Sequence, residues 1–295
     1  MSLPQHIPVM PTESLDALAL HPGAVAVDGT LGGGGHTVRM LEAVGPQGRV
    51  VAIDRDPQAV ASAEANISDP RLHLVHGSYA DLPEILVEFG LERGDALLLD
   101  LGLSSDQLAD ESRGFSFQAE GELDLRFDPT RGEPAWRLLE RLSEKHLADA
   151  IYAYGEERHS RRIARRIVEV RRQQPIRTAD QLAEIARRCV PRSKNHRIHP
   201  ATRTFQALRI LVNEELDTVA TALRRIPEAV RVGGRVAIIS FHSLEDRLVK
   251  NAFRDDPRYE VLTKKPLQAS ESEVACNPRA RSAKLRIAEI TACTN

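Results

Sequence analysis

Short apolar runs alternate with amphipathic segments over the first third of the chain. Four of the runs end in polar or glycine-rich turns, as strands of a parallel sheet do: AVAVDGT (24–30), RVVAIDRD (49–56), RLHLVHGSY (71–79) and DALLLDLGLSS (95–105). The segments between them show helical spacing of their apolar positions, near 36–44, 57–66 and 81–90. Apolar strands that alternate with helices form parallel sheets covered on both faces. The pattern therefore predicts a doubly wound, Rossmann-like α/β fold.

The same alternation returns in the last quarter of the chain. GGRVAIISFHS (233–243) predicts a further buried strand, and LEDRLVKNAFR (244–254) predicts the helix that follows it. RYEVLT (258–263) and KLRIAEI (284–290) predict a closing pair of strands.

The region between these two parts has helical periodicity and no strand pattern. Its apolar positions recur at helical spacing in AWRLLERL, EKHLADAIYAY, SRRIARRIVEVRR and ADQLAEIARR. We therefore predict an α/β domain formed by residues 1–109 and 206–295, with a helical domain, 110–205, inserted after the fourth strand. A single long helix over 204–226 is predicted to lead back into the sheet.

Composition narrows the class of protein. A chain of 295 residues with 42% apolar residues can bury a substantial core. Its apolar runs are far shorter than the ~18 residues of a membrane span, and MSLPQHIPVM lacks a signal-peptide pattern, so we expect a cytoplasmic protein with no membrane partner. The cysteines Cys189, Cys276 and Cys293 lack disulfide or zinc-ligand spacing, so no metal is expected.

The charge is unevenly distributed, although the net charge is only -2. Between Arg158 and Arg209, fifteen Lys and Arg residues stand against three acids, a local balance of 15 - 3 = +12. A single pair of arginines is typical of a solvated helical face, but a one-signed excess over this length favours a nucleic acid partner. The candidate RNA-binding residues are Arg161, Arg162, Arg165, Arg166, Arg203 and Arg209.

The first predicted strand runs into a glycine-rich loop, VDGTLGGGGHT (27–37). A loop of this kind at the carboxyl edge of a parallel sheet presents backbone N–H groups to a ligand, and glycine allows close approach. Asp54, nineteen residues after Gly35, is placed to accept hydrogen bonds from ribose hydroxyls. Two ligands fit, a dinucleotide such as NAD and S-adenosylmethionine. Asp28, just before the turn, favours the ligand with an ammonium and a sulfonium over the one with two negative phosphates.

The end of the fourth strand, DLGLSSDQL (100–108), carries the candidate catalytic residues Asp100, Ser104 and Ser105. Carboxylate and hydroxyl groups at this position suit methyl transfer to the exocyclic amine of a nucleobase. The lone pair of that amine is delocalised into the ring, which makes the amine a poor nucleophile. Acceptors that bind its N–H groups favour the pyramidal nitrogen of the transition state. Asp100 is equally well explained as a cap of the following turn.

Longer motifs carry a specific resemblance over nearly the whole chain. VDGTLGGGGHT, AIDRDPQA, LLLDLGLSSDQL, HPATRTFQALRILVNEEL and GGRVAIISFHSLEDRLVK, in this order, resemble the bacterial ribosomal small-subunit methyltransferase H family (MraW-type). The resemblance implies a class I methyltransferase fold and S-adenosylmethionine-dependent methylation of cytidine N4 in the decoding region of 16S rRNA. The implied partner is the 16S rRNA of the small ribosomal subunit.

The resemblance also implies roles for individual residues. The implied cofactor contacts are Gly34, Gly35, His36, Asp54, Tyr79, Asp100 and Gln107. His36 is otherwise explained as an ordinary first-turn helix residue. His242, in SFHSLEDR, is a candidate contact of the target base, and a structural histidine is the competing explanation.

One departure concerns the active-site motif, where the family's usual SSPQ is SSDQ here because Asp106 replaces the proline. The change removes a φ constraint and adds a charge. Because of this change, a non-catalytic RNA-binding assembly factor remains an alternative function. An NAD-dependent oxidoreductase on the same fold is a further alternative. Methylation of C5 would need a cysteine nucleophile after the fourth strand, where none occurs.

Overall fold

The computed structural model describes residues 8–117, 121–191 and 199–292. The chain forms two compact units, Met1–Ser105 with Leu216–Asn295, and Asp106–Glu215. Cys293, the first seven residues of MSLPQHIPVM and the three basic residues Arg192, Lys194 and Arg197 lie outside the described residues. No helix within the described residues is long and apolar enough to cross a membrane.

The first unit contains, within the described residues, a seven-stranded sheet in the order β3-β2-β1-β4-β5-β7-β6. Strands β1 to β5 are parallel, and β7 is antiparallel to both β5 and β6. The prediction of a doubly wound α/β fold is confirmed, as is the closing pair of strands. The strands are β1 Val25–Asp28, β2 Arg49–Asp54, β3 Leu72–His76, β4 Gly94–Asp100, β5 Val230–Ser240, β6 Tyr259–Val261 and β7 Lys284–Ile290.

Helices cover both faces of this sheet because alternate strand residues point to opposite sides. In β4, Leu97 and Leu99 belong to one apolar cluster, whereas Ala96 and Leu98 belong to the other. Before the second unit, the helices are α1 Pro11–Leu18, α2 Gly35–Val44, α3 Pro57–Asn66 and α4 Leu82–Glu88, with a 3₁₀ turn at Tyr79–Asp81.

The second unit is helical, with a 3₁₀ turn at Glu111–Arg113. Helix α9 begins with a capping box in which Thr178 and Gln181 each bond to the other's backbone N–H. The helices are α5 Ser105–Ala109, α6 Ala135–Arg141, α7 Glu144–Gly155, α8 Ser160–Arg171, α9 Ala179–Cys189 and α10 Thr202–Asn213. The chain then continues through α11 Glu215–Ala229, α12 Ser243–Asp255 and α13 Glu271–Cys276, and through the 3₁₀ turn Pro278–Ser282.

The single long helix predicted over 204–226 is wrong, because the chain forms two helices there. The break is at Glu214, which has φ 51 in the left-handed region. Asn213 is buried, and its amide nitrogen donates to Leu125 O at 2.7 Å while its oxygen accepts from Phe127 N at 2.7 Å. These bonds hold the last turn of α10 against a loop of the same unit. Apolar spacing continues through the break, so periodicity does not reveal it.

Candidate active site

The loop after β1 is organised by Asp28, whose side chain is inaccessible to solvent. Its carboxylate accepts hydrogen bonds from Thr37 Oγ1 at 2.7 Å and from Thr30 N at 3.2 Å. Burial raises the pKa of Asp28 to about 6, and the bonds from Thr37 and Thr30 oppose the shift. Asp28 therefore fixes the start of α2 and brings a carboxylate to the carboxyl end of the sheet.

Asp54 ends β2 next to the same loop. Its Oδ2 accepts from Gly32 N at 2.8 Å, and its Oδ1 accepts from Asp56 N at 2.8 Å. Burial raises the pKa of Asp54 to about 6. Each carboxylate oxygen has two acceptor sites, so these backbone bonds leave capacity for the hydroxyl groups of a ribose.

Asp100 ends β4 and faces His36 of α2. The N–H of Asp100 donates to Thr30 Oγ1 at 2.6 Å, and its Oδ2 lies 3.8 Å from His36 Nε2. Its Oδ1 is buried and has no hydrogen-bond partner within the part of the chain that the structure describes. Burial raises the pKa of Asp100 to about 7, against the opposing charge of Arg279. A buried acceptor of this kind is costly unless a ligand satisfies it.

The glycines of the loop are explained in part by the protein's own packing and backbone conformation. A Cβ on Gly34 would lie 2.8 Å from Ile67 Cδ1, and Gly34 has φ +77 as the N-cap of α2. A Cβ on Gly35 would lie 3.0 Å from Pro8 Cδ. Gly34 and Gly35 therefore shape the loop and the start of α2.

Gly29 and Gly32 connect the loop to its neighbours. A Cβ on Gly29 would clash with Leu99 Cδ2 and would lie 3.1 Å from Tyr79 Cβ, which places Tyr79 beside the start of the loop. A Cβ on Gly32 would lie 3.5 Å from Ser104 Cβ. The predicted residues Tyr79 and Ser104 therefore lie against the glycine loop, as His36, Asp54 and Asp100 do.

The loop after β4 is held by Arg279, which the sequence pattern did not indicate. Arg279 Nη1 donates to Ser105 Oγ at 2.8 Å, and Arg279 Nη2 donates to Leu103 O. Residues 105 and 279 are 174 positions apart, and neither periodicity nor motif spacing could connect them. Gln107 is buried on α5, in the second unit, and Asp106 beside it is exposed.

His242 is the N-cap of α12 and forms part of a capping box with Glu245. Its Nδ1 accepts from Glu245 N at 3.4 Å, and its Nε2 lies 3.0 Å from Glu245 Oε1. Glu245 Oε2 in turn accepts from Phe241 N at 2.9 Å. Nδ1 is thus engaged by the cap, whereas Nε2 is buried beside the Glu245 carboxylate without a hydrogen bond to any described residue. These contacts give His242 a structural role as the N-cap of α12, and its role as a contact of the target base stays a prediction.

The predicted basic residues of α8 form an exposed face. Ile163 and Ile167 are buried, whereas the arginines Arg161, Arg162, Arg165 and Arg166 are exposed. Two of these arginines have acidic neighbours, Glu169 at 3.1 Å from Arg166 and Glu144 at 3.6 Å from Arg165.

The two remaining predicted RNA contacts behave differently from each other. Arg203 is exposed, and its Nη1 donates to Glu156 O at 3.2 Å. Arg209 forms two hydrogen bonds with Glu215, each 2.8 Å long, and only 13% of its side chain is exposed. Its guanidinium is thus engaged in a largely buried ion pair, and phosphate binding by Arg209 stays a prediction.

The electrostatics of the strand ends indicate the charge of the ligand. Asp28, Asp54 and Asp100 lie at the carboxyl ends of β1, β2 and β4, and repulsion by Asp28 helps to raise the pKa values of the other two. A ligand that carries positive charge relieves this repulsion, whereas a pyrophosphate adds to it. The site therefore fits S-adenosylmethionine, with its sulfonium and ammonium groups, better than NAD.

The strand order, the antiparallel β7 and the acidic glycine-loop site define a Rossmann-like class I methyltransferase. Methylases of this fold take their methyl group from S-adenosylmethionine, so the predicted cofactor is confirmed. The chain belongs to the MraW methylase family, whose profile matches residues 4–291.

Curated relatives cover nearly the whole chain. A protein of Rhodopirellula baltica named "Ribosomal RNA small subunit methyltransferase H" is 54% identical over 97% of this chain and 91% of its own length. A relative of the same name in Syntrophotalea carbinolica is 48% identical over 96% of each chain. A solved rRNA methylase from Streptococcus thermophilus is 14% identical, with a TM-score of 0.47, over 97% of this chain and 99% of that one.

Proposed function

We propose that the protein methylates N4 of a cytidine in the decoding region of 16S rRNA, with S-adenosylmethionine as donor and the small ribosomal subunit as substrate. The observation that carries the proposal is Asp100, a buried carboxylate at the end of β4 whose Oδ1 has no partner within the described residues. The names of the curated relatives, at about half identity over nearly full length, support an rRNA substrate.

Asp100 is the proposed acceptor for the amine. S-adenosylmethionine supplies an electrophilic methyl group on its sulfonium. The Oδ1 of Asp100 accepts a hydrogen bond from the N4 amine, which favours the pyramidal nitrogen whose lone pair attacks the methyl carbon. The methylated nitrogen then carries a positive charge and releases a proton. A carboxylate with a pKa of about 7 is suited to accept that proton near neutral pH.

The surrounding residues position the reactants in this proposal. Asp54 holds the ribose hydroxyls of the donor, and Tyr79 lies beside the adenine. Ser104 and Ser105 line the amine side of the loop after β4. Gln107, on the short helix that follows, contacts the methionine end of the donor.

The test is transfer of a labelled methyl group from S-adenosylmethionine to small ribosomal subunits that lack this modification, followed by nucleoside analysis of the 16S rRNA. We expect N4-methylated cytidine at one decoding-region site. Asp100→Asn, which preserves shape and removes the charge, should lower kcat by at least a hundredfold, in line with the loss of a catalytic hydrogen-bonding group. Cofactor binding without transfer to any subunit would instead favour the non-catalytic assembly factor.

A further inference from the structure

An arginine-lined pocket lies on the second unit, where α8 and α9 pack together. Its volume is about 290 Å³, and it is lined by Arg162, Arg165, Arg166, Glu169, Arg188 and Cys189. The predicted basic face of α8 thus contains a concave site, and Arg188 of the neighbouring helix α9 also lines it.

The charge of the lining is strongly one-sided, with four guanidinium groups against one carboxylate. Arg166 pairs with Glu169 at 3.1 Å, and Arg188 pairs at 2.6 Å with Glu184, which Arg187 also binds. These pairs are solvent-exposed and therefore weak, so an anion can replace them at little cost.

Arg162 has no ion pair and no side-chain hydrogen bond with any residue of 8–117, 121–191 or 199–292. The backbone carbonyl of Arg162 accepts a hydrogen bond from the Cys189 thiol at 3.7 Å, and Cys189 also lines the pocket. Burial raises the pKa of the Cys189 thiol, so Cys189 adds no negative charge to the pocket at neutral pH.

We propose that this pocket binds one phosphate group of the RNA backbone, with Arg162 and Arg188 as its principal ligands. Guanidinium forks bind phosphate oxygens in pairs, and convergence of several forks on one cavity selects a tetrahedral oxyanion over a diffuse counterion. The inference rests on the proposed RNA substrate and adds a fixed point at which the RNA is held. A free nucleotide or inorganic phosphate offers the same chemistry, and the experiment separates these sources.

The experiment compares two neighbouring arginines of α8 that are both exposed. Arg162→Gln removes a pocket ligand, whereas Arg161→Gln removes the same charge from the same helix outside the pocket. Binding of a decoding-region 16S rRNA fragment is measured by fluorescence anisotropy at several salt concentrations. We expect Arg162→Gln and Arg188→Gln to weaken binding about tenfold and to lower the salt slope by about one. Arg161→Gln should weaken binding less than Arg162→Gln does, because it removes one charge of the basic face but no pocket ligand.

Equal effects of Arg161→Gln and Arg162→Gln would overturn the pocket and leave only a diffuse basic face. A calorimetric titration with pyrophosphate forms the second arm. Pyrophosphate binding that Arg162→Gln abolishes, with RNA affinity unchanged, would identify a free-anion site and overturn the assignment to RNA. These binding measurements do not depend on methyl transfer, so failure of the proposed function and failure of the pocket are distinguishable.

Discussion

The charge state of Asp100 determines both donor binding and amine recognition in the proposed reaction. Its pKa of about 7 results first from burial, and Arg279 keeps it from rising further. Asp54, with a pKa of about 6, titrates just below it. Because a sulfonium and an ammonium favour ionised carboxylates, donor binding and proton binding compete at this site.

We therefore predict that the affinity for S-adenosylmethionine falls as the pH is lowered from 8 to 5.5. Below about pH 7 Asp100 becomes protonated and binds the cationic donor more weakly, and Asp54 adds to the loss below about pH 6. Calorimetry at half-unit intervals should show Kd rising up to tenfold per unit where one group titrates. Asp100→Asn should flatten the dependence of Kd on pH near pH 7. An unchanged dependence would show that another group controls binding of the donor.

A second prediction concerns stability without ligand. The pKa of Asp28 is about 6 in the folded protein against 3.8 ordinarily, so the folded state binds this proton more tightly than the unfolded state. The contribution of Asp28 to folding is therefore full below pH 3.8 and is lost as the pH rises through 6. Relative to wild type, Asp28→Asn should gain about 3 kcal/mol in unfolding free energy between pH 4 and pH 7, from roughly two pKa units at about 1.4 kcal/mol each.

Urea titrations at each pH measure this difference, and Asp69→Asn provides a matched control. The pKa of Asp69 is lowered by Arg71, so its contribution runs in the opposite direction with pH and is lost on acidification. A pH-independent difference between Asp28→Asn and wild type would contradict the burial-raised pKa.

At the scale of elements, the site depends on loops that follow β1 and β4 and on a turn distant in sequence. The 3₁₀ turn Pro278–Ser282 brings Arg279 to the loop of residues 103–105, where it bonds with Leu103 O and Ser105 Oγ. Arg279 also opposes the rise of the Asp100 pKa. One side chain thus restrains the loop after β4 and limits the basicity of the carboxylate before it.

Arg279→Gln should therefore lower kcat about tenfold and move the acid limb of the pH–rate profile to higher pH. The loop loses its restraint, and the pKa of Asp100 rises when the nearby positive charge is removed. Arg279→Lys retains the charge and should restore the position of the limb while only partly restoring kcat. If Arg279→Gln slowed the reaction with the limb unmoved, Arg279 would act on the loop alone.

The elements of the sheet could be predicted from sequence because each strand is an apolar run and each connecting helix has its own periodicity. The end of α10 could not be predicted. The helix ends where the side chain of Asn213 bonds to a loop distant in sequence, whereas the spacing of apolar residues continues past this point. Asp54 and Asp100 could be predicted as candidates because each is the last residue of a strand, whereas Arg279 acts through a contact that only the folded chain creates. The ion pair of Arg209 with Glu215 was hidden for the same reason.

At the scale of the whole molecule, the chain separates two kinds of ligand chemistry. The acidic site at the strand ends belongs to the first unit, and the arginine face of α8 belongs to the second. A protein of net charge -2 thus concentrates cations on one helical face and buries carboxylates at the ends of three strands.

We predict that the two binding functions can be removed one at a time. Asp54→Ala should weaken binding of S-adenosylmethionine at least tenfold and leave RNA affinity within about twofold of wild type. Replacement of Arg161, Arg162, Arg165 and Arg166 by Gln should do the reverse and flatten the salt dependence of RNA binding. Parallel calorimetry and anisotropy on both variants provide the measurement. A joint loss of both affinities in either variant would contradict independent sites.

The position of β7 has a consequence for how the protein is made. β7 follows β6 in the chain but lies between β5 and β6 in the sheet, and Arg279 precedes it directly. During synthesis, β6 therefore has no neighbour until β7 leaves the ribosome, and the loop after β4 is not fixed until then. A nascent chain that already contains every acidic residue of the site is still incapable of ordered catalysis. The site is therefore complete only once β7 has emerged from the ribosome and taken its place between β5 and β6.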